Sequence, residues 1–148
     1  MNDDHLRPSI IEPRSSGNRM TAAEAVALCR FAKACCPQQQ FDAYTPDAWF
    51  ELLGDLTFDD CKVALTNVAK AQPFVSPAEI RKEVARVRIK RIEDFDRRHH
   101  VAPPAELADD PAGENRWRRE LMQRVGDGEI THPDQVADAQ VSERRELA

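Results

Sequence analysis

The chain is 148 residues long, 41% hydrophobic, 6% aromatic and 32% charged, with a formal net charge of -5. That length accommodates one domain plus tails, and a low aromatic content with ten prolines implies a compact part flanked by solvated segments. The net charge excludes a protein coated in positive potential. No apolar run is long enough to span a bilayer, and residues 1–19 lack the apolar stretch of a signal peptide, so the expectation is a soluble, intracellular protein.

Residues 1–20 carry prolines and serines without periodicity and read as a flexible N-terminal arm. Four helix signals follow. Thr21 with Glu24 forms a capping box, and Ala25, Leu28, Cys29, Ala32 and Cys36 recur at helical spacing until Pro37. Thr45 is expected to cap a short helix opened by Pro46, with Ala48, Trp49, Leu52 and Leu53 as its apolar stripe and Gly54 closing it. Thr57 caps a third helix, whose Asp59 and Asp60 suit the positive end of the helix dipole. Its stripe is Phe58, Cys61, Leu65 and Val68, and Pro73 lies past its end.

Ser76, Pro77 and Glu79 open a fourth and longer helix, striped by Ile80, Val84, Val87, Ile92 and Phe95. Its first half can pack on the other three helices. Its second half is expected to project beyond so small a domain. No β-alternation with turn chemistry occurs. The predicted fold class is therefore all-α, a small four-helix domain over residues 21–99 between flexible N- and C-terminal segments. A folded part of about 80 residues buries only roughly 60% of its unfolded surface and leaves little room for a deep pocket.

Residues 100–148 read as a linker and a partly helical tail. Residues 101–115 are rich in Pro, Ala and Asp. Two weaker helical patches follow, one over residues 114–125 and one from Pro133 to about Leu147 with Val136 and Val141 as apolar positions. Gly126 and Gly128 separate them, and neither patch folds alone in water.

The search for chemistry finds little. The phosphate loop GxxxxGK[ST], HExxH and GxSxG are absent from the sequence. Asp59/Asp60 and Asp109/Asp110 are paired carboxylates, the first at a helix start and the second in the linker. The cysteines Cys29, Cys35, Cys36 and Cys61 form no CxxC pair and read as small core residues, while His99 and His100 read as solvated. The expectation is a protein that is not an enzyme, with no catalytic residue, metal, cofactor or small-molecule substrate.

Two surfaces remain as candidates. Between residues 81 and 98 eight basic side chains face four acidic ones, and Arg81, Lys82, Arg86, Arg88, Lys90 and Arg91 are candidates for contact with nucleic-acid phosphates. The turn before this helix contains Pro73 and is followed by Pro77, a poor match to a base-reading helix-turn-helix. In the tail, Trp117, Leu121, Met122 and Val125, flanked by Arg118, could form a docking helix for a partner's groove. The same segment could instead fold back and cover leftover apolar surface. A third reading is a structural or assembly protein that dimerises through the second half of the fourth helix.

Residues 20–92 also carry a resemblance. Met20-Thr21-Ala22-Ala23-Glu24, Pro37, Phe41, then Trp49 with Leu52 and Leu53, and finally Pro73-Phe74-Val75-Ser76-Pro77-Ala78-Glu79-Ile80 resemble the small bacteriophage proteins that load, and hold inactive, a replicative helicase. Val75 and Ser76 between the phenylalanine and the proline, the N-terminal arm and the longer tail depart from that family. The resemblance implies a non-ATPase loader acting in the cytoplasm of a bacterial host. Its helical domain would be followed by a pliable segment that engages a hexameric DnaB-type helicase. A replication initiator would be a second possible partner, and direct DNA contact would be weak.

Overall fold

The computed structural model describes residues 19–136, and the regular secondary structure among them is entirely helical. Helix α1 spans Ala22–Cys35, α2 Thr45–Leu53, α3 Phe58–Ala69, α4 Pro77–Arg98 and α5 Pro111–Gly126, with one 3-10 turn at Ala105–Leu107 before α5. The chain is all-α, as its periodicity implies. Residues 1–18 of the expected arm over residues 1–20, and the part of the second tail patch beyond Val136, lie outside the described residues.

Three of the four predicted caps form as read. The Thr21 hydroxyl accepts from the Glu24 amide while Glu24 Oε1 accepts from the Thr21 amide at 2.9 Å, closing the box at α1. Ser76 and Glu79 do the same at α4, and the Thr57 hydroxyl accepts from the Asp60 amide at α3. The second cap differs. Thr45 is the first residue of α2 rather than its cap, and Asp42 Oδ1 takes the Tyr44 and Thr45 amides at 2.8 and 3.0 Å. Thr45 Oγ1 in turn accepts from the Asp42 amide. A carboxylate three residues upstream is the stronger acceptor and closes a reciprocal turn before the helix begins.

Helices α1 to α3 and the first half of α4 enclose one core. Leu28, Leu53, Leu65, Ile80, Val75 and Val84 are its largest fully buried side chains. Trp49 stacks at a tilt on Phe41 with ring centres 5.6 Å apart and reaches the same core. Met20 belongs to it as well, its amide donating to the Leu56 carbonyl at 2.9 Å, so the packed part begins one residue before the expected boundary. Gln39 ties the loop after α1 to the turn before α4: its side-chain amide donates to the Val75 carbonyl and accepts from the Val75 amide.

The largest departure from expectation is at the far end of α4. Its second half does not project. Phe95, Leu121, Val125, Ile130 and Val136 form a second buried cluster, with Ile92, Val101, Trp117 and Met122 packed on its edge. The expected linker is correspondingly shorter. Asp110 is the N-cap of α5, its carboxylate accepting from the Gly113 amide at 3.0 Å, and Pro111 occupies the first turn. Closing this second core places Gly126 against α4, where a Cβ would meet Ile92 Cδ1 at 3.2 Å. Gly128, at φ +80°, then turns the chain so that Ile130 comes back to bury on the cluster. One long helix thus serves two cores.

Candidate interaction site on the fourth helix and the tail

The six basic residues singled out on α4 are mostly committed within the chain. Arg81 forks onto the Asp55 carboxylate at 2.6 and 2.9 Å and donates to the Leu52 carbonyl. Arg86 holds Glu83 one turn back, and Lys90 lies 3.8 Å from Asp94 one turn ahead. Arg88 pairs with Asp127 just past the end of α5. Arg91 spans two elements: one guanidinium nitrogen lies 2.7 Å from Asp60 Oδ1 at the start of α3, and another donates to the Gly126 carbonyl at 3.0 Å. Of the six, Lys82 alone has no ion pair among the described residues. Phosphate contact through this helix would have to break pairs that the fold already makes.

Asp60 was legible only as a helix-dipole residue. Its side chain is 5% exposed, and a carboxylate so buried needs a cation. Arg91 supplies it across a helix–helix gap. Asp55, Asp60, Arg88 and Asp127 line a polar cleft of about 360 Å³ where α3, α4 and α5 meet. Arg86 and Lys90 have an acid three or four residues away on their own helix, and Arg81 and Arg88 have none at that spacing and reach across to other elements. Spacing alone does not sort the pairs, because Arg91 has Asp94 three residues on and still reaches across to Asp60.

The tail residues also have definite places. Leu121 is 4% and Val125 2% exposed, both against α4. Trp117 and Met122 are half-buried at the edge of the same cluster, and Arg118 is exposed and bonded to Glu114. The face that reads as a docking helix is therefore occupied within the chain, and of the two alternatives the fold-back is the one observed. Arg116 and Arg119 remain on the solvent side of α5. His99 is not solvated as expected: it is half-buried between Phe95 and His132, with ring centres 5.0 and 5.2 Å away, while His100 is exposed.

The cysteines are placed as core residues. Cys29, Cys36 and Cys61 are buried and Cys35 is half-buried, all as free thiols. Burial pushes the Cys61 thiol up to about 12, with the neighbouring Asp60 adding to it, and the Cys29 thiol up to about 11. Such thiols stay protonated and have little nucleophilic or ligand character. Among the described residues no three His, Cys, Asp or Glu side chains are grouped to hold a metal ion, and no helix is long and apolar enough to cross a membrane.

Three carboxyls are held below their ordinary range: Asp55 by hydrogen bonds from Arg81, Glu79 by the Ser76 hydroxyl and then Gln72, and Glu83 by Arg86 and then Asn67. A carboxyl whose folded value is depressed adds stability above its unfolded value, and that stability is lost as pH falls through the folded value. The thermal midpoint should accordingly be flat near neutrality and fall between about pH 5 and pH 3. Asp55→Asn should lower it at neutral pH and shrink the acid-induced drop. An unchanged drop in Asp55→Asn would show that Asp55 contributes nothing to it.

Comparisons of the chain with protein-family models, with curated proteins and with solved structures return no match. Function has to be argued from the residues and the fold.

Proposed function

We propose that the protein is an adaptor of bacteriophage DNA replication that binds, loads and restrains a hexameric DnaB-type helicase without hydrolysing ATP itself. The observation that carries this reading is a coincidence of boundaries. The stretch resembling the loader family, residues 20–92, takes in the whole first core, whose buried members run from Met20 to Val84. Among the described residues beyond it, Phe95, Leu121, Val125, Ile130 and Val136 form a second, smaller core built on α5. A folded platform followed by a separately packed amphipathic segment is the division of labour that a loader requires.

The second core is also the part least costly to open. Among the described residues it buries five apolar side chains against fifteen in the first, and local opening begins where buried apolar contacts are fewest. A helicase surface offering an apolar groove could take the face of α5 carrying Trp117, Leu121, Met122 and Val125 in exchange for α4. That exchange cancels most of the apolar gain, so the complex stays releasable when an initiator or another replication protein competes.

Co-purification with a DnaB-type hexamer tests the reading. The full chain should retain the hexamer, and both removal of residues 101–148 and Trp117→Ala should lose it. Equal retention by the truncated protein would overturn the role given to α5. Failure of the full chain to bind any such hexamer would overturn the loader reading itself.

A further inference from the structure

On α4 the charged side chains left without an ion pair among the described residues include Lys82, Glu93 and Asp96, all exposed. They are not scattered. At 3.6 residues per turn, Ala78, Lys82, Ala85, Arg86, Ile89, Glu93 and Asp96 fall within about 60° either side of one line along the helix. That line is opposite the face through which Ile80, Val84 and Phe95 enter the two cores. The outward face has an apolar centre, Ile89 at 56% exposure with Ala85 one turn before it. Its N-terminal half is basic and its C-terminal half acidic.

The charges are arranged symmetrically about that centre. Lys82 lies seven residues before Ile89 and Asp96 seven after; Arg86 lies three before and Glu93 four after. A face whose charge inverts about its own midpoint is complementary to itself when a second copy is turned end for end. We propose that the outward face of α4 is a self-association surface, on which two copies of this chain cross antiparallel at Ile89 with Lys82 opposite the partner's Asp96. The two-fold axis repeats that pair, giving two cross-pairs around an Ile89–Ile89 contact, while Arg86, which holds Glu83 on its own chain, lies near the partner's Glu93. Ala85 is small enough for close approach.

Beside this face lies a groove of about 560 Å³ between α3 and α4, walled by Val68, Ala71, Ala85 and Ile89, with Lys82 and Arg86 balanced there by Glu79 and Glu83. Two crossed helices with few large apolar side chains bury less than roughly 1,200 Å², the range of weak and transient complexes. Much of their attraction is between exposed charges, so it is sensitive to salt. This association is independent of helicase binding and uses none of the residues assigned to that role.

Sedimentation velocity of the full chain from low to high micromolar concentration tests it. The expected result is a monomer–dimer equilibrium in low salt that shifts to monomer in high salt. Lys82→Glu and Asp96→Lys should each weaken association about tenfold or more, because each places like charges opposite one another. The chain carrying both reversals should dimerise within about threefold of the original, since each reversed lysine again meets a reversed aspartate. All these positions are exposed, and an unchanged helical circular dichroism signal checks that the variants fold. A monomer at every concentration in low salt, a dimer indifferent to the single reversals, or a double reversal that fails to restore association would each overturn the proposal.

Discussion

Replacing Arg91 by alanine is expected to lower the unfolding free energy by about 3 kcal/mol, an outsized loss for a side chain that is one-third exposed. The cost does not come from the arginine's own contacts alone. Removing it takes from the Asp60 carboxylate, 5% exposed, the guanidinium paired with it at 2.7 Å, and takes the side-chain donor from the Gly126 carbonyl. A buried ion pair adds little against a well-packed apolar replacement, but breaking one by deleting a single partner strands the other. The double change Arg91→Ala with Asp60→Asn should therefore recover part of the loss. Arg91→Lys should recover less than its charge suggests, because one ammonium cannot serve both acceptors as the guanidinium fork does. Urea unfolding of the unaltered protein, Arg91→Ala, Asp60→Asn and the double variant measures the cycle, with Arg91→Lys as a fifth protein. A loss below about 1 kcal/mol for Arg91→Ala would mean that the pair behaves as an exposed one.

The second large effect belongs to Leu121. Leu121→Asp puts a carboxylate at a side chain that is 4% exposed, in the apolar cluster with Ile92 and Phe95. The expected result is loss of the second core, costing about 3 kcal/mol or more, while the first core stays intact. Once detached, α5 has 16 residues, near the length at which an isolated helix is marginal in water. Amide hydrogen exchange reads the two parts separately. Protection over residues 111–126 should collapse, and protection over residues 58–69 should remain near that of the unaltered protein. If α5 kept its protection, its helix would depend on something other than α4. If α3 lost protection as well, the two cores would be one cooperative unit rather than two.

These two sites also mark the limit of what could be read residue by residue. Thr21, Thr57 and Ser76 cap their helices as expected because a cap is settled within three or four residues, where side chain and amide meet whatever the rest of the chain does. The same locality explains the failure at Thr45, whose hydroxyl and amide are engaged by Asp42 from within the same short window. The stripe on α4 was visible, but periodicity records only that a face is apolar and not which neighbour covers it. Ile80 and Val84 go to α1–α3, while Ile92 and Phe95 go to α5.

The charges on α4 divide in the same way. Arg86–Glu83 and Lys90–Asp94 lie within one helical turn and could be paired by counting. Arg81–Asp55, Arg91–Asp60 and Arg88–Asp127 join residues 26 to 39 positions apart. Those pairs exist only once burial of the apolar faces has brought the helices together. All-helical character, the caps and the amphipathic faces thus follow from interactions spanning a few residues. The return of α5 onto α4, the burial of Asp60 and the commitment of the basic helix to partners inside the chain depend on long-range packing. Charge and hydropathy say which side chains need a partner, and only the approach of distant helices decides which partner each one meets.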